Sequence, residues 1–128
     1  MAKKVLFINN LSPASVFPEL LADAGYEVYE AFDSETGLRR LDAQSYDLIL
    51  LLESATVESW VLCEKIRSLT PAPLIVISSN ASMETCVKAI NAGADFFMRK
   101  PFGALELLAR INVLFQRSAY RQPVSLAS

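Results

Sequence analysis

Five short apolar runs alternate with longer amphipathic segments, and this alternation limits the possible folds more than any other feature of the chain. The third run, at residues 46–52, is apolar on both faces, as is typical of a central parallel strand. Parallel neighbours need long crossover connections, usually helices. The pattern therefore predicts an α/β fold, with a parallel sheet, right-handed crossovers and helices on both faces. The predicted strands cover residues 5–8, 26–31, 46–52, 74–77 and 96–98.

Local signals predict a helix after each strand. Ser12 followed by Pro13 is a favourable helix start, and Gly25 is a typical helix stop. Asp33 opens the second helix, and Ser82 caps the fourth. The third helix is expected at residues 57–69, and the fifth from just after residue 101 to about residue 117. Beyond residue 118 the apolar periodicity is lost, and we expect residues 119–128 to be a linker.

Length and composition narrow the class of protein. A chain of 128 residues with 52% hydrophobic and 20% charged residues suits one globular domain. The net charge of −2 gives no sign of the excess of basic residues that is typical of nucleic acid binding. No apolar run approaches the length of a membrane span. The absence of histidine removes the commonest general base. Cys63 and Cys86 fall on predicted helices and are expected to be reduced, buried thiols in a cytoplasmic protein.

In an open parallel sheet, the functional site lies beyond the carboxyl ends of the strands. This rule draws attention to a small set of residues that follow the predicted strands. They are Asn9, Asn10, Leu52, Glu53, Ser78, Ser79 and Lys100.

Four sequence segments together resemble a known family. They are residues 25–28 (Gly-Tyr-Glu-Val), 46–51 (Tyr-Asp-Leu-Ile-Leu-Leu), 92–97 (Ala-Gly-Ala-Asp-Phe-Phe) and 100–102 (Lys-Pro-Phe). Through them the chain resembles the receiver domain of two-component response regulators, from about residue 3 to residue 117. The resemblance implies a CheY-like, flavodoxin-like fold: a three-layer αβα sandwich with strand order 2-1-3-4-5.

The resemblance also implies a site, and this chain departs from it. In the family, two acids after the first strand and an aspartate ending the third hold Mg²⁺, and that aspartate accepts a phosphoryl group. Asn9 and Asn10 stand at the two acidic positions, and Leu52 stands at the phosphoacceptor position. Leucine has no nucleophile, and Mg²⁺ favours carboxylate oxygens. We therefore expect a pseudo-receiver with a degenerate pocket, no metal and no cofactor.

Glu53 is the carboxylate nearest to Leu52. Adjacent residues of a strand point to opposite faces, so Glu53 is not expected to fill the place of Leu52. The simplest expectation is a solvent-facing loop acid. A bulge that rotates Glu53 inward, rebuilding a conventional Mg²⁺ and phosphoryl switch, stays open as an alternative.

The resemblance assigns roles to four further residues. Ser78 aligns with the hydroxyl residue and Lys100 with the lysine that contact the phosphoryl group in the family, and the bond before Pro101 is cis there. Without an aspartate, Lys100 is expected to bond to an asparagine, a carbonyl group or Glu53. Phe97 aligns with the aromatic switch residue, and without a hydroxyl group it is expected to stay inward in a fixed conformation.

The family's usual dimer surface consists of helix 4, strand 5 and helix 5. In regulators of the OmpR/PhoB type it carries salt bridges, and three residues here match that network: Asp95, Glu106 and Arg110. Cys86 and Phe96 replace two expected charged partners, for which Lys88 and Arg117 could substitute. We expect a symmetric dimer on this face, with a monomer as the alternative.

These observations favour a regulatory domain over residues 1–118 that controls an attached output domain through dimerisation or protein contacts, independently of phosphorylation. Residues 120–124 resemble the linker to a winged-helix DNA-binding domain, so nucleic acid contacts would lie outside this domain. A small-molecule sensor using the degenerate pocket is the alternative. An enzyme is disfavoured, because no glycine-rich phosphate loop follows the first strand and no nucleophile–base pair is visible.

Overall fold

The computed structural model describes residues 2–10, 17–53, 57–78, 82–99 and 103–127. Strands and helices alternate along the chain. The strands are β1 (Lys4–Asn9), β2 (Glu27–Ala31), β3 (Leu48–Leu52), β4 (Leu74–Ser78) and β5 (Phe96–Arg99). The helices are α1 (Phe17–Asp23), α2 (Ser34–Ala43), α3 (Val57–Leu69), α4 (Met83–Asn91) and α5 (Ala104–Ala127).

The five strands form one parallel sheet in the order β2-β1-β3-β4-β5. This order confirms the expected fold. In the register of β1 and β3, Asn9 lies opposite Leu52 at the carboxyl edge of the sheet. Three of the candidate residues, Asn9, Leu52 and Ser78, are thus the last residues of three adjacent central strands.

The two faces of the sheet carry separate cores. Alternate residues of β3 belong to different cores, Ile49 and Leu51 to one and Leu50 and Leu52 to the other. The first core includes Leu62 of α3 and is covered by α2, α3 and α4. The second includes residues of α1 and α5. Every residue of β3 is buried, which confirms the expectation of a strand covered on both faces.

Helix starts follow the predicted caps. The Asp33 side chain accepts a hydrogen bond from the backbone N–H of Thr36 at 2.7 Å, at the start of α2. The Ser82 hydroxyl group accepts one from the N–H of Thr85 at 3.2 Å, at the start of α4. Gly93 follows α4 with φ of +124°, a conformation that favours glycine. The predicted start of α1 at residues 12 and 13 lies outside the described residues.

Helix α2 lies close against β1 because residue 37 has no side chain. A Cβ atom on Gly37 would lie 2.6 Å from Cδ1 and 2.7 Å from Cγ1 of the buried Ile8. Gly37 therefore allows the short distance between α2 and β1.

Helix α5 extends beyond the predicted end at residue 117 and continues to Ala127. The expected helix end at about residue 117 is therefore wrong. Loss of apolar periodicity removes packing partners, but it does not stop a helix. No glycine stop signal follows Gly103. The division into a domain at residues 1–118 and a linker remains a prediction.

Candidate functional site

Asn9 and Leu52 lie side by side at the carboxyl edge of the sheet, and both are 2% exposed. Leu52 packs in the core on the α1 and α5 side, together with Ile77 of β4 and Met98 of β5. The Asn9 amide group donates a hydrogen bond to a carboxylate oxygen of Glu30 on β2 at 3.2 Å. Leu52, which the sequence comparison with the family predicts to be at the phosphoacceptor position, is thus a hydrocarbon side chain enclosed by other hydrocarbon side chains.

Asn10 links the ends of β1, α2 and β3. Its backbone N–H donates to the carbonyl oxygen of Leu52 at 2.9 Å. Its side-chain amide donates to the hydroxyl oxygen of Ser34 at 2.7 Å and to a carboxylate oxygen of Glu53 at 3.3 Å. The Asn10 amide group is therefore used as a hydrogen-bond donor within the protein.

Glu53 is 8% exposed, so the expectation of a solvent-facing acid is wrong. Its N–H donates to the carbonyl oxygen of Ile77 at 3.1 Å, so backbone pairing with β4 continues one residue past Leu52. The continued alternation directs Glu53 away from Leu52, toward α2 and α3. These helices bury the Glu53 side chain. The alternation of residues in the strand could not by itself predict this burial.

Ser78 ends β4 and is fully buried, next to Arg99 in the register with β5. Lys100 and Pro101 lie outside the described residues, as does Ser79. The bonds expected for Lys100 and the cis bond expected before Pro101 therefore stay predictions. Phe97 of β5 is half-buried and packs against the core on the α2, α3 and α4 side.

Charged residues of the expected dimer surface have partners within the same chain. Asp95 accepts from Arg67 at 2.9 Å and from the N–H of Leu74 at 2.8 Å. The ammonium group of Lys88 lies 3.3 Å from a carboxylate oxygen of Glu84 and 4.6 Å from the ring centroid of Trp60.

On the same surface, the Arg110 guanidinium group lies 4.6 Å from the ring centroid of Phe96, which is half-buried. Glu106, in the first turn of α5, is exposed, and Cys86 on α4 is partly buried rather than buried as expected. The side chain of Arg117 lies outside the described part of the structure.

An apolar stripe runs along α4 on the solvent side. Met83, Val87 and Ile90 are 70%, 49% and 49% exposed. Their spacing of four and three residues places them on one face of the helix. The sequence already contained this spacing, but their exposure depends on which face of α4 meets the sheet.

Cys63 on α3 is fully buried. Burial raises the pKa of its thiol group to about 12, and the negative charge of Glu53 contributes to the increase. The thiol group therefore stays protonated at neutral pH and is a packing group rather than a nucleophile.

Within the described ranges, no group of three or more His, Cys, Asp or Glu side chains could hold a metal ion. None of the helices in the described part of the chain has both the length and the apolar character needed to cross a lipid bilayer.

Comparison with known proteins identifies the class. The chain matches the response regulator receiver domain family over residues 13–112, and it belongs to that family. It is 30% identical over 125 residues to the response regulator ArlR of Staphylococcus saprophyticus, covering 96% of this chain and 57% of ArlR. The chain thus spans little more than half the length of that relative.

Two solved structures have the same fold. A CheY-like receiver domain protein from Methanospirillum hungatei JF-1 is 27% identical, with a TM-score of 0.81, over 94% of this chain and 99% of the other. NtrX from Brucella abortus is 26% identical, with a TM-score of 0.85, over all of this chain and 30% of NtrX. Receiver domains of this class are regulatory rather than enzymatic.

Proposed function

We propose that this receiver domain is a pseudo-receiver that regulates its partner without being phosphorylated. The observation that carries the proposal is Leu52, which is 2% exposed and enclosed by apolar residues at the position of the family's phosphoacceptor. A leucine side chain cannot form an acyl phosphate. The half-buried Phe97 packs against the core, which supports a domain held in one conformation.

The residues near Leu52 do not fit the Mg²⁺ ion that the family implies. Mg²⁺ requires hard oxygen ligands, chiefly carboxylates and phosphate oxygens. Asn9 and Asn10 supply neutral amide groups, which donate to Glu30, Ser34 and Glu53. Glu53 lies on the other face of the sheet from Leu52 and supports no rebuilt metal site beside it.

Treatment with a small phosphoryl donor tests this proposal directly. We expect intact-mass spectrometry after incubation with acetyl phosphate and Mg²⁺ to detect no added phosphoryl group, because Leu52 offers no acceptor atom. A gain of one phosphoryl group would contradict the proposal. The variant Glu53→Gln then identifies the acceptor, because a gain that disappears in this variant would support the alternative of a switch rebuilt around Glu53.

We further propose that the domain acts in the cytoplasm on an output domain through the surface of α4, β5 and α5. ArlR and NtrX are both longer than the region they share with this chain, which is consistent with an attached domain. Any nucleic acid contact would belong to that domain. The apolar stripe of Met83, Val87 and Ile90 supports a homodimer at this surface, because burying it removes hydrocarbon from water.

The charged residues of the surface favour a dimer interface that is apolar at its centre. Asp95 and Lys88 pair with Arg67 and Glu84 in the same chain. Exposed ion pairs contribute only about 0–1 kcal/mol. Contact between two stripes would therefore contribute more to dimer stability than salt bridges between the two copies.

A further inference from the structure

A cavity of about 370 Å³ lies at the amino edge of the sheet. Its lining includes Lys3, Asp47 and Pro73, which directly precede β1, β3 and β4, and also Phe115 of α5. Leu52 lies at the carboxyl edge, at the other end of β3. The cavity is therefore separate from the degenerate phosphorylation pocket. Its volume falls in the range of sites that bind small molecules.

Two side chains of opposite charge line this cavity, and they do not pair with each other. The Lys3 ammonium group lies 4.9 Å from the centroid of the Phe115 ring. One oxygen atom of the Asp47 carboxylate accepts from the backbone N–H of Lys4 at 2.7 Å, and this neutral donor leaves the negative charge in place. The salt bridges of the described residues join other side chains. Both charges of the lining are therefore uncompensated within the described part of the chain.

The backbone holds these two charged residues next to each other. Lys4 donates to the Asp47 carboxylate, and the N–H of Asp47 donates to the carbonyl oxygen of Lys4 at 2.8 Å. Lys3 directly precedes Lys4, so the long side chain of Lys3 begins close to the Asp47 carboxylate. A ligand with a single charge would pair with one of these groups and shield the other from water without a partner, which is unfavourable. The pair thus favours a ligand that carries a negative and a positive charge close together.

The remaining lining supplies apolar contact area. Pro71, Pro73 and Phe115 provide hydrocarbon beside the charged pair, and Pro73 and Phe115 are half-buried. The Phe115 ring also packs against Tyr26, with 6.0 Å between the two ring centroids. An apolar group that covers these rings is removed from water, which stabilises the complex. The lining therefore favours a zwitterion with an apolar side group.

We propose that this cavity binds a free amino acid with an apolar side chain. The ligand's carboxylate accepts hydrogen bonds from the Lys3 ammonium group, and its ammonium group donates to the Asp47 carboxylate, which keeps its bond to the backbone N–H of Lys4. The apolar side chain of the ligand contacts Pro71, Pro73 and Phe115. Binding is non-covalent and does not depend on phosphorylation, because the cavity lies at the opposite edge of the sheet from the end of β3.

Three probes that differ in charge test the site. We expect phenylalanine, which carries both charges, to cause saturable amide NMR shifts at Lys3, Asp47 and Phe115. Phenethylammonium lacks the carboxylate, and 3-phenylpropionate lacks the ammonium group. Each of these two probes should bind about tenfold more weakly than phenylalanine, because one charge-assisted hydrogen bond is lost.

Variants of the charged pair show which end of the ligand each residue binds. Lys3→Gln should weaken phenylalanine binding about tenfold without weakening phenethylammonium binding, because that probe has no carboxylate. Asp47→Asn keeps an acceptor for the Lys4 N–H. It should weaken phenylalanine binding about tenfold without weakening the binding of 3-phenylpropionate. Lys65→Gln and Asp42→Asn are the matched controls, since both residues are exposed and neither lines the cavity.

Several results would overturn the proposal. They are absence of saturable shifts up to the solubility limit of phenylalanine, and equal binding of the three probes. Unchanged phenylalanine binding in Lys3→Gln or Asp47→Asn would also overturn it, as would an equal loss of binding in the control variants. If Asp47→Asn does not fold, the comparison of the three probes and the Lys3→Gln variant still decide the question.

Discussion

Leu52 and Glu53 are neighbours in sequence, and the alternation of β3 places their side chains on opposite faces of the sheet. Leu52 enters an apolar core at the position that we predict to correspond to the reactive carboxylate of the family. Glu53 enters the space between α2 and α3, where Asn10 donates to it. The one carboxylate at the end of β3 is thereby separated from the position at which phosphoryl chemistry takes place in the family.

Arg67 is a residue whose importance the sequence did not indicate. Its guanidinium group donates to the carbonyl oxygens of Gly93 and Ala72 and pairs with Asp95. It therefore joins α3 to the chain entering β4 and to the chain entering β5. Its side chain is 29% exposed, so these bonds are partly shielded from water.

We expect Arg67→Ala to lower the free energy of unfolding by about 2–3 kcal/mol, because several charge-assisted bonds and partly buried acceptors lose their donor. Urea denaturation measures the change. Arg39→Ala is the control, since Arg39 pairs with Glu35 at 3.9 Å on the surface and its loss should change stability by less than about 0.5 kcal/mol. Equal losses in the two variants would contradict the role given to Arg67.

The contrast between these residues shows what the sequence could predict of the site. The sequence alone drew attention to Leu52 as a candidate site residue, because its place at the end of an apolar run depends only on the spacing of apolar residues and on the resemblance to the family. The burial of Glu53 depends on helices, and the partners of Arg67 lie in connecting segments, that are brought together from other parts of the chain. Burial and contacts of this kind come from tertiary packing, and no local sequence pattern predicts them.

Among the elements, the strands and the caps at Asp33 and Ser82 followed from the sequence pattern, and the strand order followed from the resemblance to receiver domains. Both caps have a local cause, because a side-chain oxygen accepts from an N–H three residues ahead. The end of α5 was predicted too early, at about residue 117, because the apolar periodicity is lost there and no glycine marks the actual end.

The cap of α2 gives a pH-dependent prediction. Hydrogen bonding from Thr36 lowers the pKa of Asp33 below its ordinary value. The stabilisation by ionised Asp33 is therefore present above its unfolded pKa and is lost as pH falls through the lower folded pKa. We expect the difference in free energy of unfolding between the wild-type protein and Asp33→Ala to shrink over that acidic range, as measured by urea denaturation.

Asp33→Asn separates the charge from the hydrogen bond. Asparagine also caps helices, but it does not titrate. This variant should keep much of the stability at neutral pH, while its difference from Asp33→Ala stays nearly constant as pH falls. A difference from Asp33→Ala that disappears in acid for both the wild-type protein and Asp33→Asn would show that another group is responsible.

For the whole molecule, the stripe on α4 leads to a prediction about assembly. We expect Val87→Glu to shift a dimer toward monomer, because a charge would be placed in an apolar interface. Sedimentation at several protein concentrations measures this shift. Leu69→Glu is the matched control, since Leu69 is 41% exposed and belongs to α3 rather than to α4. A protein that is monomeric at every concentration before substitution would contradict the dimer.

The central claim is that the carboxyl edge of this sheet has the frame of a phosphorylation switch without its chemistry. The most direct test is an amide NMR titration with Mg²⁺, followed by beryllofluoride as a phosphoryl mimic. The account predicts no specific shifts at Asn9, Asn10, Leu52, Glu53 and Ser78. Saturable shifts at these residues that extend to Phe97 and α4 would contradict it, and the domain would then be a working switch.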